Sequence, residues 1–310
     1  MIKVEGLTKR YGQFTAVDDV SFTCRPGRIT GFLGPNGAGK TTTMRIMVGL
    51  TAPSAGSVTI GGHDYAAIPN PGQHVGVLLD ASAQHAGRTG REVLSLGARM
   101  VGAPQSRVDD MLAMVSLSDA EASRRLRNYS LGMRQRLGIA SALLGDPEVL
   151  ILDEPANGLD PAGIRWMRGL LKDFADRGGT VLLSSHLLNE VELIADEMIL
   201  IGRGRIVAQG DKRALLDGTR HDVTLATAVD NDALAAAAQR RGWSADVAGE
   251  GVRIGAAPTE VGRLAVDERI VLSDLRSGAS GLEDLFLDLT ADAQREGNLA
   301  GATTEGGTGL

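Results

Sequence analysis

The stretch from Gly34 to Thr41 constrains the fold of this 310-residue chain more than any other part of it. It reads GPNGAGKT and fits the pattern G-x-x-x-x-G-K-[ST] at every position. Glycines allow backbone N–H groups to converge on phosphate oxygens, and the helix after such a loop presents its positive N-terminal end to the same anion. The flanking residues predict the required strand, Arg28–Leu33, and a helix that continues through Gly49. We therefore predict a phosphate-binding loop, with ATP as its ligand, at Gly34, Pro35, Asn36, Gly37, Ala38, Gly39, Lys40, Thr41 and Thr42.

Two carboxylates follow a second apolar strand. The run Val149–Leu152 is continuous and apolar, as in parallel strands that are buried on both faces, and Asp153 and Glu154 come directly after it. Ligands of parallel sheets sit at the carboxyl edge of the strands, so both acids are expected beside the phosphate loop. We expect Asp153 to hold Mg²⁺ through water, and Glu154 to act as general base or to polarise the attacking water.

Three further side chains receive roles in this site. Lys40 is expected to reach the β- and γ-phosphates of ATP, and the Thr41 hydroxyl is expected to ligate Mg²⁺. His186 follows the predicted strand Val181–Ser184, which ends at the same sheet edge. As a neutral imidazole, His186 is expected to donate a hydrogen bond to the γ-phosphate or to hold the attacking water. The predicted catalytic residues are therefore Lys40, Glu154 and His186.

Composition narrows the class of protein. The formal net charge is −6, whereas nucleic-acid-binding domains carry a basic footprint, so we expect no nucleic-acid partner. No apolar run approaches the ~18 residues that would span a bilayer, and Met1–Arg10 lacks the apolar core of a signal peptide. The single cysteine, Cys24, lies in an apolar stretch where we expect a buried thiol. These observations predict a cytosolic chain that acts at a membrane only through a partner.

The apolar periods predict two domains and a tail. Residues 1–218 read as an α/β core with an inserted helical subdomain at about 81–140, and a hairpin is predicted at Gly56–Gly62. Residues 219–290 read as β-α-β-β-α-β followed by a helix at Leu282–Leu289, which is the order of a small ferredoxin-like α+β module. Residues 291–310 are rich in Gly, Thr and Ala without periodicity and predict a disordered tail.

The segment Tyr129–Leu137, between the two phosphate motifs, reads YSLGMRQRL. Here the chain resembles the ATP-binding subunits of ABC transporters, whose signature usually reads L-S-G-G-Q followed by R/K-Q-R, and the resemblance covers about residues 1–215. It implies a P-loop NTPase core of the RecA-like type. It also implies a homodimer or heterodimer that sandwiches two ATP molecules head to tail. The resemblance assigns Tyr11 to the adenine, Ser130 and Gly132 to the nucleotide of the opposite subunit, Asp160 to the loop that crosses the dimer seam, and His186 to the switch histidine.

The chain departs from this family pattern at two places. Leu131 and Met133 stand where the signature usually has glycine and glutamine. The loop that usually ends in glutamine reads GVLLD, so Asp80 takes the place of a residue that the resemblance puts near Mg²⁺, water and the membrane subunit. Asp80 is therefore a predicted metal ligand, and Gln84 is its alternative if the register slips.

The variant signature and the sequence GLEDLFLDLT at residues 281–290 resemble one subgroup, the ATP-binding subunits of bacterial drug, antibiotic and lipid-type exporters of the daunorubicin-resistance kind. This implies polytopic membrane permease subunits as partners and a peripheral position at the cytoplasmic face of the cell membrane. An importer or a non-transport system of the same ATPase class stays open. A DNA-maintenance ATPase is disfavoured because the 153 − 40 = 113 positions from Lys40 to Asp153 contain no sustained heptads. A single phosphate loop and the acidic balance disfavour a ribosome-associated regulator.

Overall fold

The computed structural model describes residues 1–186, 191–217, 223–249 and 251–277. The chain divides into two compact units, Met1–Lys212 and Arg213–Leu310. The sequence-based boundary at residue 218 lies outside the described residues and stays a prediction.

The first unit begins with a three-stranded antiparallel sheet. Its strands are β1 (Ile2–Tyr11), β2 (Phe14–Cys24) and β4 (Ala55–Ile60), in the order β2-β1-β4. Side chains at the start of β1 alternate between the two faces, so that Ile2 and Val4 are buried. The hairpin predicted at Gly56–Gly62 is wrong, because β4 pairs with β1 and the chain turns back only through a single bridge between Ile60 and His63.

A six-stranded sheet forms the centre of the first unit. Its strands are β3 (Arg28–Leu33), β5 (Val75–Leu78), β6 (Val149–Leu152), β7 (Thr180–Ser185), β8 (Glu197–Gly202) and β9 (Arg205–Asp211). Their order is β5-β6-β7-β3-β8-β9, and every pair is parallel except β8 with β9. All four side chains of β6 are buried, as expected for a strand covered on both faces. Because β6, β7 and β3 are parallel neighbours, their carboxyl ends meet at one edge.

Helices pack on this sheet and fill the connection between β5 and β6. The helix after the phosphate loop, α1 (Lys40–Met47), buries Met44, Ile46 and Met47. The connection contains α2 (Gly90–Val101), α3 (Ser106–Met114), α4 (Asp119–Ala122) and α5 (Leu131–Ala142). Capping boxes close the N-termini of α2 and α4. Next along the chain are α6 (Pro161–Asp176), which packs on β3 and β7, and α7 (Lys212–Asp217). Single 3₁₀ turns lie at Tyr65–Ala67, Pro71–Gln73 and Leu126–Asn128.

The second unit is a four-stranded antiparallel sheet with two helices. Its elements are β10 (Thr224–Ala228), α8 (Asn231–Arg240), β11 (Ala245–Ala248), β12 (Gly251–Ile254), α9 (Pro258–Asp267) and β13 (Leu272–Ser277). The strand order is β11-β12-β10-β13, and small apolar side chains such as Ala226 and Ala238 form much of the core. The predicted helix Leu282–Leu289 and the tail at 291–310 lie outside the described residues. Within the described ranges, no helix combines the length and apolar character that crossing a bilayer requires.

Candidate functional site

The phosphate loop connects β3 to α1 through a turn that requires glycine at two positions. A Cβ on Gly34 would lie 2.3 Å from the Ile201 carbonyl oxygen, and a Cβ on Gly39 would lie 2.6 Å from that of Ala16. Gly39 also has a φ of +106°, which side-chain-bearing residues rarely adopt. The helix α1 begins directly after it, with no side-chain cap and no acidic residue in its first turn. The positive end of α1 is therefore available to an anion.

Lys40 is the cation of this loop and is almost fully buried. Its Nζ donates to the Gly34 carbonyl oxygen across 2.6 Å and to that of Pro35 across 3.3 Å. It also lies 3.8 Å from Glu154 Oε1. Burial lowers the pKa of Lys40 below its usual value, and the carboxylates of Glu154 and Asp153 oppose that shift without cancelling it. An anionic phosphate beside Nζ would favour the charged form in the same way as these carboxylates do.

Asp153 joins the end of β6 to the phosphate loop. The Thr41 hydroxyl donates to Asp153 Oδ2 across 2.5 Å, and the hydroxyl of Ser184, from the end of β7, donates to Asp153 Oδ1. The backbone N–H of Asp153 donates to the Leu78 carbonyl oxygen on β5, across 2.7 Å. Asp153 is therefore buried and held from both neighbouring strands, and its carboxylate is directed at Thr41.

Glu154 and His186 form a pair at the open side of this cluster. His186 Nδ1 lies 2.8 Å from Glu154 Oε2, where the imidazole N–H donates to the carboxylate. A neutral imidazole with its proton on Nδ1 has an acceptor at Nε2. In that form His186 can accept a hydrogen bond from water, whereas donation to a γ-phosphate from Nε2 requires the imidazolium. Of the two predicted roles, this contact favours holding the attacking water.

Lys40, Thr41 and Glu154 line a cleft of about 320 Å³. Asp153 and His186 are not among the residues that line it. Tyr11 and its cross-strand partner Phe14 are 51% and 63% exposed and line one side of it. The Lys9 ammonium lies 4.9 Å from the centre of the Tyr11 ring. A flat base stacked on Tyr11 is compatible with this arrangement. The lining residues are Tyr11, Phe14, Ala16, Pro35, Asn36, Gly37, Ala38, Gly39, Lys40, Thr41, Thr42 and Glu154.

Comparison with known proteins identifies the family. The family profile described as ABC transporter matches residues 17–157. The uncharacterized ABC transporter ATP-binding protein YhcH of Bacillus subtilis (strain 168) is 38% identical over 96% of this chain and 98% of that protein. The chain belongs to the ABC transporter ATP-binding proteins. This ABC ATPase is also 41% identical to the bacitracin transport ATP-binding protein BcrA of Bacillus licheniformis, over 67% of this chain and 69% of that protein. It is 34% identical to the daunorubicin resistance ATP-binding protein DrrA3 of Streptomyces coeruleorubidus, over 95% of this chain and 97% of that protein.

Solved structures show the same fold. The structure of an ATP-binding subunit of an ABC transporter matches with a TM-score of 0.65 at 27% identity, over 70% of this chain and 92% of that chain. The dimeric structure of MJ0796, a bacterial ABC transporter cassette, matches with a TM-score of 0.64 at 25% identity, over 69% of this chain and 99% of that chain. The predictions of the family, of ATPase activity and of a P-loop NTPase fold of mixed α/β type are thereby confirmed.

The signature residues of this ABC ATPase lie outside the cleft of their own chain. Ser130 is the N-cap of α5, and its hydroxyl accepts from the Met133 N–H across 3.2 Å. A Cβ on Gly132 would lie 2.7 Å from the Gly158 carbonyl oxygen, so α5 packs closely on the loop after Glu154. Leu131, which replaces the usual glycine, packs over Gly158. These residues line no part of the cleft described above.

Asp160 caps a different helix. Its Oδ1 accepts from the Gly163 N–H at the start of α6 across 2.8 Å and lies 4.0 Å from Arg136 Nη2. It does not line the cleft of its own chain either. Its expected contact with nucleotide, like those of Ser130 and Gly132, stays a prediction that requires a second subunit.

Asp80 lies two residues after the end of β5, and β5 is the strand that pairs with β6. Its exposed carboxylate accepts from the Ser82 N–H across 2.7 Å, which is an Asx turn rather than a contact with Thr41 or Asp153. Gln84 lies four residues further along and is half-buried. The structure brings neither side chain into the cleft lining, so the assignment of Asp80 as a metal ligand stays a prediction.

Three residues near the site were missed by the sequence analysis. Ser184 bridges the two acids, since its hydroxyl donates to Asp153 and accepts from the Glu154 N–H across 3.0 Å. Gln135 is buried on α5 and donates to the Glu154 carbonyl oxygen across 2.7 Å. Phe14 lines the cleft beside Tyr11. Of these three, only Phe14 could have been found from the sequence. It is an aromatic residue three positions after Tyr11, so a tight turn between them would place both at the same end of a hairpin.

Proposed function

We propose that this ABC ATPase binds ATP with Mg²⁺ at its phosphate loop and hydrolyses it with Glu154, to power export of a drug-, antibiotic- or lipid-like compound through separate membrane subunits. One observation carries the site assignment. Two motifs 112 residues apart meet where the Thr41 hydroxyl donates to Asp153 Oδ2 across 2.5 Å. Lys40 and Glu154 are the chain neighbours of these two residues, and their charged groups lie 3.8 Å apart, so one phosphate chain can reach all four residues.

The residues at this contact fit Mg²⁺. A hydroxyl oxygen and a carboxylate oxygen face each other, and Mg²⁺ prefers oxygen ligands. The described residues contain no group of three or more His, Cys, Asp or Glu suited to a metal ion, which agrees with a cation that takes its other ligands from phosphate and water. Thr41 would hold the ion directly and Asp153 through water, and Asp80 is the further proposed ligand. When bound, Mg²⁺ supplies positive charge that neutralises phosphate oxygens.

The side chains divide the proposed reaction among them. Lys40 binds the β- and γ-phosphates, while the backbone N–H groups of the loop and the start of α1 bind the same anion. Glu154 accepts a proton from the attacking water, whose oxygen bonds to the γ-phosphorus as the bond to the β-γ bridging oxygen breaks. His186 orients the Glu154 carboxylate through Nδ1 and accepts from the water through Nε2. The products are ADP and phosphate.

The signature supports a dimeric arrangement. Because Ser130, Gly132 and Asp160 lie outside their own cleft, we assign them to the nucleotide and seam of a second subunit, in a homodimer or a heterodimer. The cassette MJ0796, a structural neighbour, is dimeric. Nucleic-acid-binding domains carry a basic footprint, whereas this chain has a formal net charge of −6. We therefore propose no nucleic-acid partner.

The relatives support a proposal for the cargo and the location. Bacitracin and daunorubicin stand in the names of two of them, which supports drug or antibiotic export through a polytopic permease. We place the chain peripherally at the cytoplasmic face of the membrane. The second unit is proposed to be a ferredoxin-like accessory module, since its strand order β11-β12-β10-β13 and its β-α-β-β-α-β sequence are those of that class. It carries no assigned chemistry and is proposed to touch the dimer mate or the permease.

Reconstitution tests this proposal. The chain is purified from membranes with the polytopic protein that stays bound to it, and the pair is placed in proteoliposomes with the ATPase outside. If the protein powers export, daunorubicin or bacitracin accumulates inside the vesicles when ATP is added. The complex that carries Glu154→Gln is expected to show no accumulation. ATP-driven release from preloaded vesicles would indicate an importer. Hydrolysis without movement of either compound would contradict the cargo class.

A further inference from the structure

The backbone of Glu154 is held on both sides by side chains of other elements. Its N–H donates to Ser184 Oγ on β7 across 3.0 Å, and its carbonyl oxygen accepts from Gln135 Nε2 on α5 across 2.7 Å. The Asn157 N–H donates to the same carbonyl oxygen across 3.1 Å. Gln135 is only 4% exposed, so its amide has no competing water shell.

Glu154 needs such support because of its backbone conformation. Its φ is +49°, in the left-handed region that residues with a Cβ adopt only under constraint. This conformation turns the chain sharply after β6 and directs the carboxylate toward Lys40 and His186 rather than along the strand. If the backbone relaxed, the carboxylate would leave the position from which it reaches the attacking water.

We propose that Gln135 is a positioning residue for hydrolysis, which holds Glu154 in its left-handed conformation through the bond from Nε2 to the Glu154 carbonyl oxygen. The bond belongs to a wider contact between α5 and the loop after Glu154. Gly132 packs against Gly158, and Arg136 lies 4.0 Å from Asp160. The inference rests on the proposed role of Glu154 as the base.

The helix α5 thereby gains a second role. Its N-terminus carries Ser130 and Gly132, which are assigned to the nucleotide of the other subunit, while Gln135, little more than one turn further on, acts on the glutamate of its own chain. Because a helix of this length is stiff, a displacement of its N-terminus is transmitted to the Gln135 contact. Hydrolysis in one cleft is then sensitive to whether the N-terminus of α5 contacts the nucleotide bound by the other subunit.

The test is Gln135→Met in the full chain, since methionine keeps the length and apolar contacts but has no donor. We expect kcat for ATP hydrolysis to fall by at least about tenfold while the dissociation constant for ATP stays within about twofold of wild type. Gln239→Met is the matched control, because Gln239 Nε2 also donates to a backbone carbonyl oxygen, that of Ala245 across 3.0 Å, in the second unit. Thermal unfolding of both variants separates loss of positioning from loss of stability. If Gln135→Met does not fold, Gln135→Leu removes the donor with a different change in packing.

A double-mutant cycle with Glu154→Gln distinguishes positioning from a general structural effect. If Gln135 acts through Glu154, the Gln135 substitution lowers the residual rate of the Glu154→Gln variant by less than about twofold. An equal loss in both backgrounds, or an unchanged kcat in Gln135→Met alone, overturns the inference. Wild-type hydrolysis by Glu154→Gln itself would instead refute the proposed function of Glu154.

Discussion

The Lys40 ammonium lies 3.8 Å from Glu154 Oε1, so the cation of the phosphate loop and the proposed base form one charge cluster. A triphosphate that reaches Lys40 therefore brings its γ-phosphate within range of the Glu154 carboxylate. The repulsion between that phosphate and the carboxylate requires compensating positive charge, which Mg²⁺ beside Thr41 and Asp153 would provide.

The metal dependence of hydrolysis tests this compensation. Asp153→Asn keeps the size of the side chain, and an amide can still bond to the Thr41 and Ser184 hydroxyls, but the negative charge is lost. We expect the Mg²⁺ concentration for half-maximal hydrolysis to rise by at least about tenfold. Asp176→Asn, which removes an exposed carboxylate paired with Lys172 on α6, serves as control. Equal Mg²⁺ titrations of the three proteins would remove Asp153 from the metal site.

The pH dependence of nucleotide affinity tests the environment of Lys40. Burial lowers the pKa of Lys40, and bound phosphate favours its charged form, so affinity falls by up to about tenfold per pH unit once the pH exceeds the lowered pKa. An arginine stays charged at every pH tested, so the nucleotide affinity of Lys40→Arg is expected not to fall with pH in this way. Lys172→Arg, on the exposed face of α6, is expected to keep the wild-type slope. Fluorescent-nucleotide titrations between about pH 7 and 10.5 measure the slope; a wild-type affinity independent of pH would contradict the assignment.

The lowered pKa of Lys40 also makes the free energy of unfolding depend on pH. A lysine whose pKa is lower in the folded chain binds fewer protons there than in the unfolded chain. Its contribution to the free energy of unfolding therefore increases as the pH rises from the lowered pKa toward the usual value near 10.5.

Asp80 and Gln84 are compared by their effect on coupling. We expect Asp80→Gln to change the ratio of compound transported to ATP hydrolysed in proteoliposomes more than it changes hydrolysis itself. Gln84→Ala is expected to leave that ratio unchanged. If the Gln84 substitution alters coupling and the Asp80 substitution does not, the register of this loop is wrong.

The thiol of Cys24 reports on the packing of the first unit. Cys24 is fully buried, as expected from its sequence setting, and burial raises the pKa of its thiol to about 12. The native chain should therefore show less than about a tenth of a thiol reacting with Ellman's reagent at neutral pH, and one thiol after unfolding in guanidinium. Met100→Cys adds a thiol at a position that is 81% exposed and provides a reactive control. Rapid reaction of the native wild-type thiol would show that β2 is not packed as described.

Local sequence signals were sufficient for the elements that hold the phosphate site. Both β3 and β6 agree with their predicted bounds. A turn at Pro26 and Gly27 precedes β3, and β6 is a continuous apolar run that Asp153 ends. The loop and its helix follow from the spacing of glycines and Lys40. This is why Lys40, Thr41, Asp153 and Glu154 could be assigned to one site before their distances were known.

Contacts between distant segments were not predictable from one sequence. The strand β1 continues from Ile2 to Tyr11 because it pairs with both β2 and β4. The same pairing turns the expected hairpin at Gly56–Gly62 into a single strand. The bonds of Ser184 to Asp153 and of Gln135 to Glu154 join residues 31 and 19 positions apart, and neither side chain has a sequence pattern that signals such a bond.

Glu154→Gln provides the most direct test of the central claim that the phosphate loop and the acidic end of β6 act on one magnesium triphosphate. We predict that this variant binds ATP with wild-type affinity, hydrolyses it at least about 10²-fold more slowly, and accumulates as a dimer in size-exclusion chromatography with ATP and Mg²⁺. Hydrolysis by the variant at a rate close to that of the wild type would show that Glu154 does not act on the bound triphosphate.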